Sequence, residues 1–185
     1  MTTGGARHAP PVVFRSLPNH ASESFQSRWR SESVASPVRL VNLVVKCSGL
    51  SGCVMESITP IRVRYAETDA MGIVHHAVYP VWMELGRLDL LRALGQSYAE
   101  WEKRGVMMSV AEVRVKYRAP ARYDELVEVR TRLAEAGRRK VVFAYDVLRD
   151  GTRLAEGETV HVVTGPEGRA RVMPEDLLSL IAQAL

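Results

Sequence analysis

The stretch Tyr65-Ala-Glu-Thr-Asp69-Ala-Met-Gly72-Ile-Val-His75-His76-Ala-Val-Tyr79 is a seam between two periodicities. Upstream, Ser57–Tyr65 alternates, with Ile61, Val63 and Tyr65 opposite Ile58, Pro60, Arg62 and Arg64, as in a strand whose early end is open enough to accept a proline. Downstream, Ala77–Leu94 has helical spacing. Pro80 falls in its first turn, where a missing N–H costs nothing, and Gly95 closes it. Val78, Val81, Trp82, Leu85 and Leu88 gather on one side, but Met83, Leu90, Leu91 and Leu94 cover much of the rest. Such a helix calls for burial on more than one side.

Past the helix the period changes. Ser97–Lys103 is a short helix capped by Ser97, with Glu100 as its capping-box partner. Ser109–Arg118 then alternates, with Ala111, Val113, Val115 and Tyr117 on one face, and Leu126–Leu133 does the same. Lys140–Arg149 is apolar on both faces, as expected of a central strand or one that meets a partner subunit. Asp150-Gly151 is a hairpin signal leading into Thr152–Thr164. Pro174-Glu-Asp opens a terminal helix reaching about Gln183, with acids at its positive end. The order predicts an α+β domain, five antiparallel strands wrapped around one long central helix. Its remaining apolar patches call for self-association.

The chain of 185 residues is 46% hydrophobic, enough for one ordinary domain plus extra segments. Its formal charge of +4 is unevenly placed. Residues 1–54 hold Arg7, Arg15, Arg28, Arg30, Arg39 and Lys46 against Glu23 and Glu32, whereas residues 55–185 are neutral. A nucleic-acid surface would need its basic excess on the folded part, so none is expected. Both cysteines, Cys47 and Cys53, lie in the leader, so the core has no thiol nucleophile, as suits a cytoplasmic protein or one indifferent to redox state. No membrane insertion is expected, for want of an apolar run of 18 residues. Residues 1–37 read as disordered, and 38–50 as one short strand or an interfacial stretch. The leader 1–54 is either disordered or upstream coding sequence, because Met55 stands just ahead of the first patterned strand; residues 55–185 form the single domain.

Within the seam, Asp69 leaves a strand and faces a helix start. A carboxylate there can act as general base or nucleophile, and outward backbone N–H groups from Gly72 to His76 can stabilise an oxyanion. Equally, Asp69 could simply cap the turn, with the histidines bonding locally. No Gly-x-Ser-x-Gly elbow and no core cysteine competes for the role of acyl-transfer nucleophile.

The combination of Tyr65, Thr68-Asp69, Gly72 and His76 after a first strand, with Glu84 and Arg87 on the helix behind, resembles hotdog-fold acyl-CoA thioesterases. The class is that of 4-hydroxybenzoyl-CoA thioesterase, and within it the Tol-Pal-cluster acyl-CoA thioesterase branch; the similarity spans about Ile58–Thr164. The resemblance implies the hotdog fold, subunits paired into a homodimer with sites at the interface, and often a homotetramer built as a dimer of dimers. It implies hydrolysis of acyl-CoA to free acid and CoA without cofactor or metal. Asp69 matches the catalytic carboxylate and His76 the residue whose backbone N–H receives the thioester carbonyl. Gly72 matches the glycine that permits close approach, and Ile73, Val74 and Tyr79 complete the oxyanion and acyl pocket. His75 belongs beside it. Val78 stands where the family usually has Asn, and methyls cannot replace an amide's hydrogen bonds. For the CoA phosphates the candidates are Arg118, Arg122, Arg138, Arg139 and Lys140, the last three forming one basic turn. Glu84 and Arg87, three residues apart, suit a packing or interface contact.

Two other readings compete with hydrolysis: a hotdog dehydratase acting on the same thioesters, and a scaffold dimer that kept the fold without the activity. The sequence leaves the acyl group open, and does not separate Asp69 as nucleophile from Asp69 as base.

Overall fold

The computed structural model describes residues 42–47 and 53–185. The elements follow as β1 (Asn42–Cys47), β2 (Cys53–Arg62), α1 (Val78–Ala93), α2 (Tyr98–Lys103), β3 (Met107–Tyr117), β4 (Leu126–Ala136), β5 (Lys140–Arg149), β6 (Thr152–Thr164) and α3 (Glu175–Ala182). One antiparallel sheet runs in the order β1-β2-β4-β5-β6-β3. Strands β2 to β6 are the five expected, wrapped around α1 as a hotdog fold. β1 adds a sixth on the β2 edge, where the sequence allowed a short strand. It reaches only to Ile58, two residues short of Pro60. Expectations for residues 1–37 lie outside the described residues.

Local chemistry explains most of these elements. Asp150 and Gly151 both have positive φ (50° and 78°), the geometry of a two-residue hairpin turn whose twist suits the flanking strands. Ser97 and Glu100 form the anticipated capping box on α2. β5 lies between β4 and β6, so burial on both faces follows from its central place.

Two details differ from the sequence reading. The buried side of α1 is Tyr79, Trp82, Met83, Gly86, Asp89, Leu90 and Leu91, whereas Val81 is 52% exposed. The reason is Gly86. A Cβ there would run into the Thr131 side chain and lie 3.1 Å from Val129 Cγ1, so the bare glycine is what turns toward β4. Pattern reading gives glycine no weight and therefore rotated the helix. In β3 a bulge between Val110 and Glu112 makes Ala111 the extra residue. Val110 opposes His161 and Val113 opposes Thr159, so it is Val110, not Ala111, that shares a face with Val113, Val115 and Tyr117. β3 is an edge strand, and Val110, Val113 and Tyr117 remain 43–48% exposed.

Candidate active site

The chain leaves β2 through Val63, enters a single 3-10 turn at Tyr65–Glu67, and folds back so that Thr68 bridges Val74. The hairpin tip is built by Asp69. Its backbone N–H donates to Ile73 O (2.9 Å), its carbonyl accepts from Gly72 N (2.9 Å), and its Oδ1 accepts from Met71 N (2.8 Å). One carboxylate oxygen thus caps the turn, as the simpler reading of Asp69 required, while the side chain still borders a cavity. Gly72 has φ +70° with open space around it, so glycine is needed here for backbone conformation.

Beneath this tip, Glu67 is buried and fastens the loop to α1. Its carboxylate accepts from Arg64 N (2.7 Å), from the Arg64 guanidinium (2.8 Å) and from Trp82 Nε1 (3.1 Å). Its carbonyl accepts from His75 N at 2.9 Å. Burial by itself would raise the Glu67 carboxyl, but the hydrogen bonds from Arg64 and Trp82 together outweigh it and hold the group below the usual carboxylate range. The loop entering the helix is also pinned by Val74 N donating to Ala121 O and by Val78 N donating to His75 O, both 2.9 Å. Ala77 N donates to His75 Nδ1 at 3.3 Å. Among the described residues no acceptor is found for the His76 N–H, which stands just ahead of α1.

A cavity of about 340 Å³ opens here, lined by Asp69, Met71, Ile73, Val74, His76 and Tyr79 on one side and by Tyr117, Arg118, Ala119 and Pro120 on the other. The pocket residues singled out from sequence therefore converge, except that Gly72 shapes the turn without lining the cavity. His75 stays outside the lining, stacked beside His76 with ring centroids 4.1 Å apart. Tyr117, read from sequence only as an apolar strand residue, borders the cavity; its hydroxyl donates to His76 O at 2.9 Å and its ring meets Tyr79 edge-on at 5.1 Å. Burial pushes the Tyr79 and Tyr117 phenols up, so both are neutral donors at ordinary pH. No local sequence signal marks Tyr117, because the contact joins residues 41 apart.

The basic candidates separate. Arg118 lines the cavity and pairs with Glu156 at 2.7 Å. Arg122 sits in the following turn, its N–H donating to Glu125 at 2.8 Å. Arg138, Arg139 and Lys140 make the β4–β5 turn. Their end of the sheet, where Val141 opposes His161, is about 20 Å along β6 from Ala155, which opposes Tyr117. A single chain does not bring them to the cavity, and Lys140 pairs with Glu135 at 2.7 Å. Glu84 and Arg87 form their i,i+3 pair at 3.0 Å. Among the described residues no group of three or more His, Cys, Asp or Glu is placed to hold a metal, and no helix is long and apolar enough to cross a membrane.

The thioesterase-like superfamily matches residues 63–181. The acyl-CoA thioester hydrolase YbgC of Escherichia coli is 31% identical over 126 residues, covering 67% of this chain and 94% of that protein. Among solved structures, a hypothetical protein, TT1821, from Thermus thermophilus is 48% identical, with a TM-score of 0.67 covering 69% of this chain and 98% of that one. The DHNA-CoA thioesterase of Staphylococcus aureus is 32% identical, with a TM-score of 0.65 covering 69% and 89%. With the superfamily matched over residues 63–181 and YbgC 31% identical along 94% of its length, this chain belongs to the thioesterase-like superfamily of hotdog-fold proteins.

Proposed function

We propose that the protein hydrolyses acyl-CoA thioesters to free acid and CoA, with Asp69 as the reacting carboxylate, and that it falls in the Tol-Pal-cluster branch of the family. The observation that carries the reading is that one cavity at the amino end of α1 is lined by both Asp69 and His76, and that the His76 N–H has no acceptor among the described residues. There the helix start and a free donor favour negative charge on the carbonyl oxygen of a bound thioester. Asp69 then takes a proton from water as that water attacks the carbonyl carbon, and the CoA thiolate leaves and is protonated. In the other route Asp69 itself attacks, the C–S bond breaks, and water cleaves the resulting anhydride. Both routes consume one water and release one acid and one thiol. Ile73, Val74 and Tyr79 supply apolar walls for the acyl group.

Arg118, which lines the cavity, and Arg122, four residues further along the chain, are the cations we assign to the CoA phosphates. Arg138, Arg139 and Lys140 could reach a site only on another subunit. A homodimer, paired again as a dimer of dimers, accounts for the exposed Val81, Val110 and Val113 beside the open β3 edge. The setting we assign is cytoplasmic.

The deciding experiment is thiol release from purified protein and from Asp69→Asn. Loss of at least a hundredfold in kcat with an unchanged melting curve is expected; undiminished turnover in the variant would overturn the role of Asp69.

A further inference from the structure

The two walls of the Asp69 cavity, drawn from residues 69–79 and 117–120, are tied to each other by hydrogen bonds between distant parts of the chain. Val74 N donates to Ala121 O, and the Tyr117 hydroxyl donates to His76 O, both at 2.9 Å. Tyr117 stands on a fixed base. It is the last residue of β3 and pairs with Ala155 of β6, and just beyond it Arg118 N (2.8 Å) and Ala119 N (3.1 Å) both donate to Leu154 O. Leu154 and Ala155 are fully buried. The Tyr117 ring also meets buried Tyr79 edge-on, an attractive geometry for two aromatic rings. Sheet and helix thus support the phenol before its hydroxyl reaches the loop.

What the hydroxyl reaches is the second of two successive peptide units just ahead of α1. A peptide is planar and trans, so its C=O and N–H point opposite ways, and fixing one end aims the other. In the unit between His75 and His76 the carbonyl accepts from Val78 N at 2.9 Å, and the far end is the His76 N–H, without an acceptor among the described residues. In the unit between His76 and Ala77 the carbonyl accepts from Tyr117, and the N–H donates to His75 Nδ1 at 3.3 Å. Three of these four polar groups are tied, and the open one is the donor assigned to the thioester carbonyl. His76 O lies one residue ahead of the N-cap Ala77, and the residue four positions on, from which a longer helix would supply an N–H, is Pro80. The phenol fills that place. Without it, among the described residues, the second unit keeps a long bond to an exposed imidazole, and the backbone at His76 can swing its N–H off line.

We propose that Tyr117 is a positioning residue for hydrolysis: its hydroxyl, standing in for the N–H that Pro80 lacks, fixes the peptide after His76 and so aims the His76 N–H at the thioester carbonyl. This rests on the thioesterase reading above and deepens it by naming what orients the donor. Tyr117 is 47% exposed, so its bond competes with water and adds little to folding. Its effect belongs to the rate, because a donor moved by a fraction of an ångström loses much of its hold on the charge that develops in the transition state.

The test compares the full chain with Tyr117→Phe, which keeps the ring in the cavity wall and removes the hydroxyl alone. Thiol release is measured with butyryl-, hexanoyl-, octanoyl-, dodecanoyl- and benzoyl-CoA. For the member turned over best, kcat should fall about tenfold, less than the roughly hundredfold lost with an oxyanion donor outright. KM should stay within about twofold and the melting midpoint within about 2 °C. A second readout is the infrared stretch of that thioester's labelled carbonyl when bound to Asp69→Asn. Adding Tyr117→Phe should move it to higher frequency, as polarisation by the His76 N–H weakens. An unchanged kcat overturns the positioning role, as do a raised KM with kcat intact, a rate loss that merely follows a lowered melting midpoint, and a carbonyl stretch that does not move; each of these leaves hydrolysis standing. No hydrolysis of any member of the panel by the native protein overturns the thioesterase reading and the positioning role with it.

Discussion

The Glu67 carboxylate accepts a hydrogen bond from the Trp82 indole Nε1 at 3.1 Å, and both side chains are buried. This contact ties the loop carrying Asp69 and His76 to the second turn of α1. A carboxylate fastened to the helix that supplies the anion-stabilising end can hold its neighbours in a fixed relation to that end.

Replacing Glu67 with Ala would leave the Trp82 N–H and the Arg64 donors without their acceptor, at a cost of about 1–3 kcal/mol. Glu67→Gln keeps one acceptor oxygen for Trp82 and should recover part of that loss. Chemical denaturation of the two variants checks the order. If Glu67→Ala proved as stable as the native protein, the clamp would carry no energy.

Gly86→Ala should destabilise. Alanine gains about 1 kcal/mol of helix propensity, but its methyl would meet the Thr131 hydroxyl and Val129 on β4, and overpacking of this kind costs about 1–3 kcal/mol. Thr131→Ala, which removes the hydroxyl that the new methyl meets, should restore stability in the double variant. A double-mutant cycle by thermal unfolding measures the coupling.

Stability should also fall in mild acid because of His161. Burial first, and the charge of Arg87 second, push this imidazole down to about 4 from 6.5. It is fully buried, its Nε2 2.8 Å from Thr159 Oγ1 and its ring edge-on to Phe143. Between those two values the unfolded chain binds a proton that the folded one refuses. The native state therefore has this contribution in full above about pH 6.5 and loses it as pH falls toward 4. The total is bounded at about 3 kcal/mol. Denaturation midpoints from pH 7.5 to 4 should show the slope, and His161→Gln should flatten it. Glu67, whose pKa is depressed, adds to the loss only at lower pH, below the ordinary carboxylate value.

Removal of residues 1–54 should leave a folded, active protein. The truncation deletes β1 and the first two residues of β2, yet it spares the pairing of β2 with β4 from Glu56 to Arg62 and the whole of α1. Circular dichroism and thiol release from the truncated chain check this, with light scattering to compare its oligomeric state. An insoluble product would make the edge strand part of the structural minimum.

The sequence by itself determined the element order, the hairpin at Asp150-Gly151, the cap of α2 and the meeting of Asp69 with the start of α1. Each of these depends on residues within a turn or two of one another, where spacing and backbone preference decide the outcome. Tertiary structure alone decided which side of α1 is buried, because the choice rests on a close approach between Gly86 and Thr131 across 45 positions. It decided the face of β3 as well, since a bulge shifts alternation by one and a pattern of period two gives no notice of it. Tyr117 beside His76 and the remoteness of Arg138, Arg139 and Lys140 from the cavity belong to the same class. Such relations are set by how the sheet lays distant strands side by side, and composition or period does not encode them.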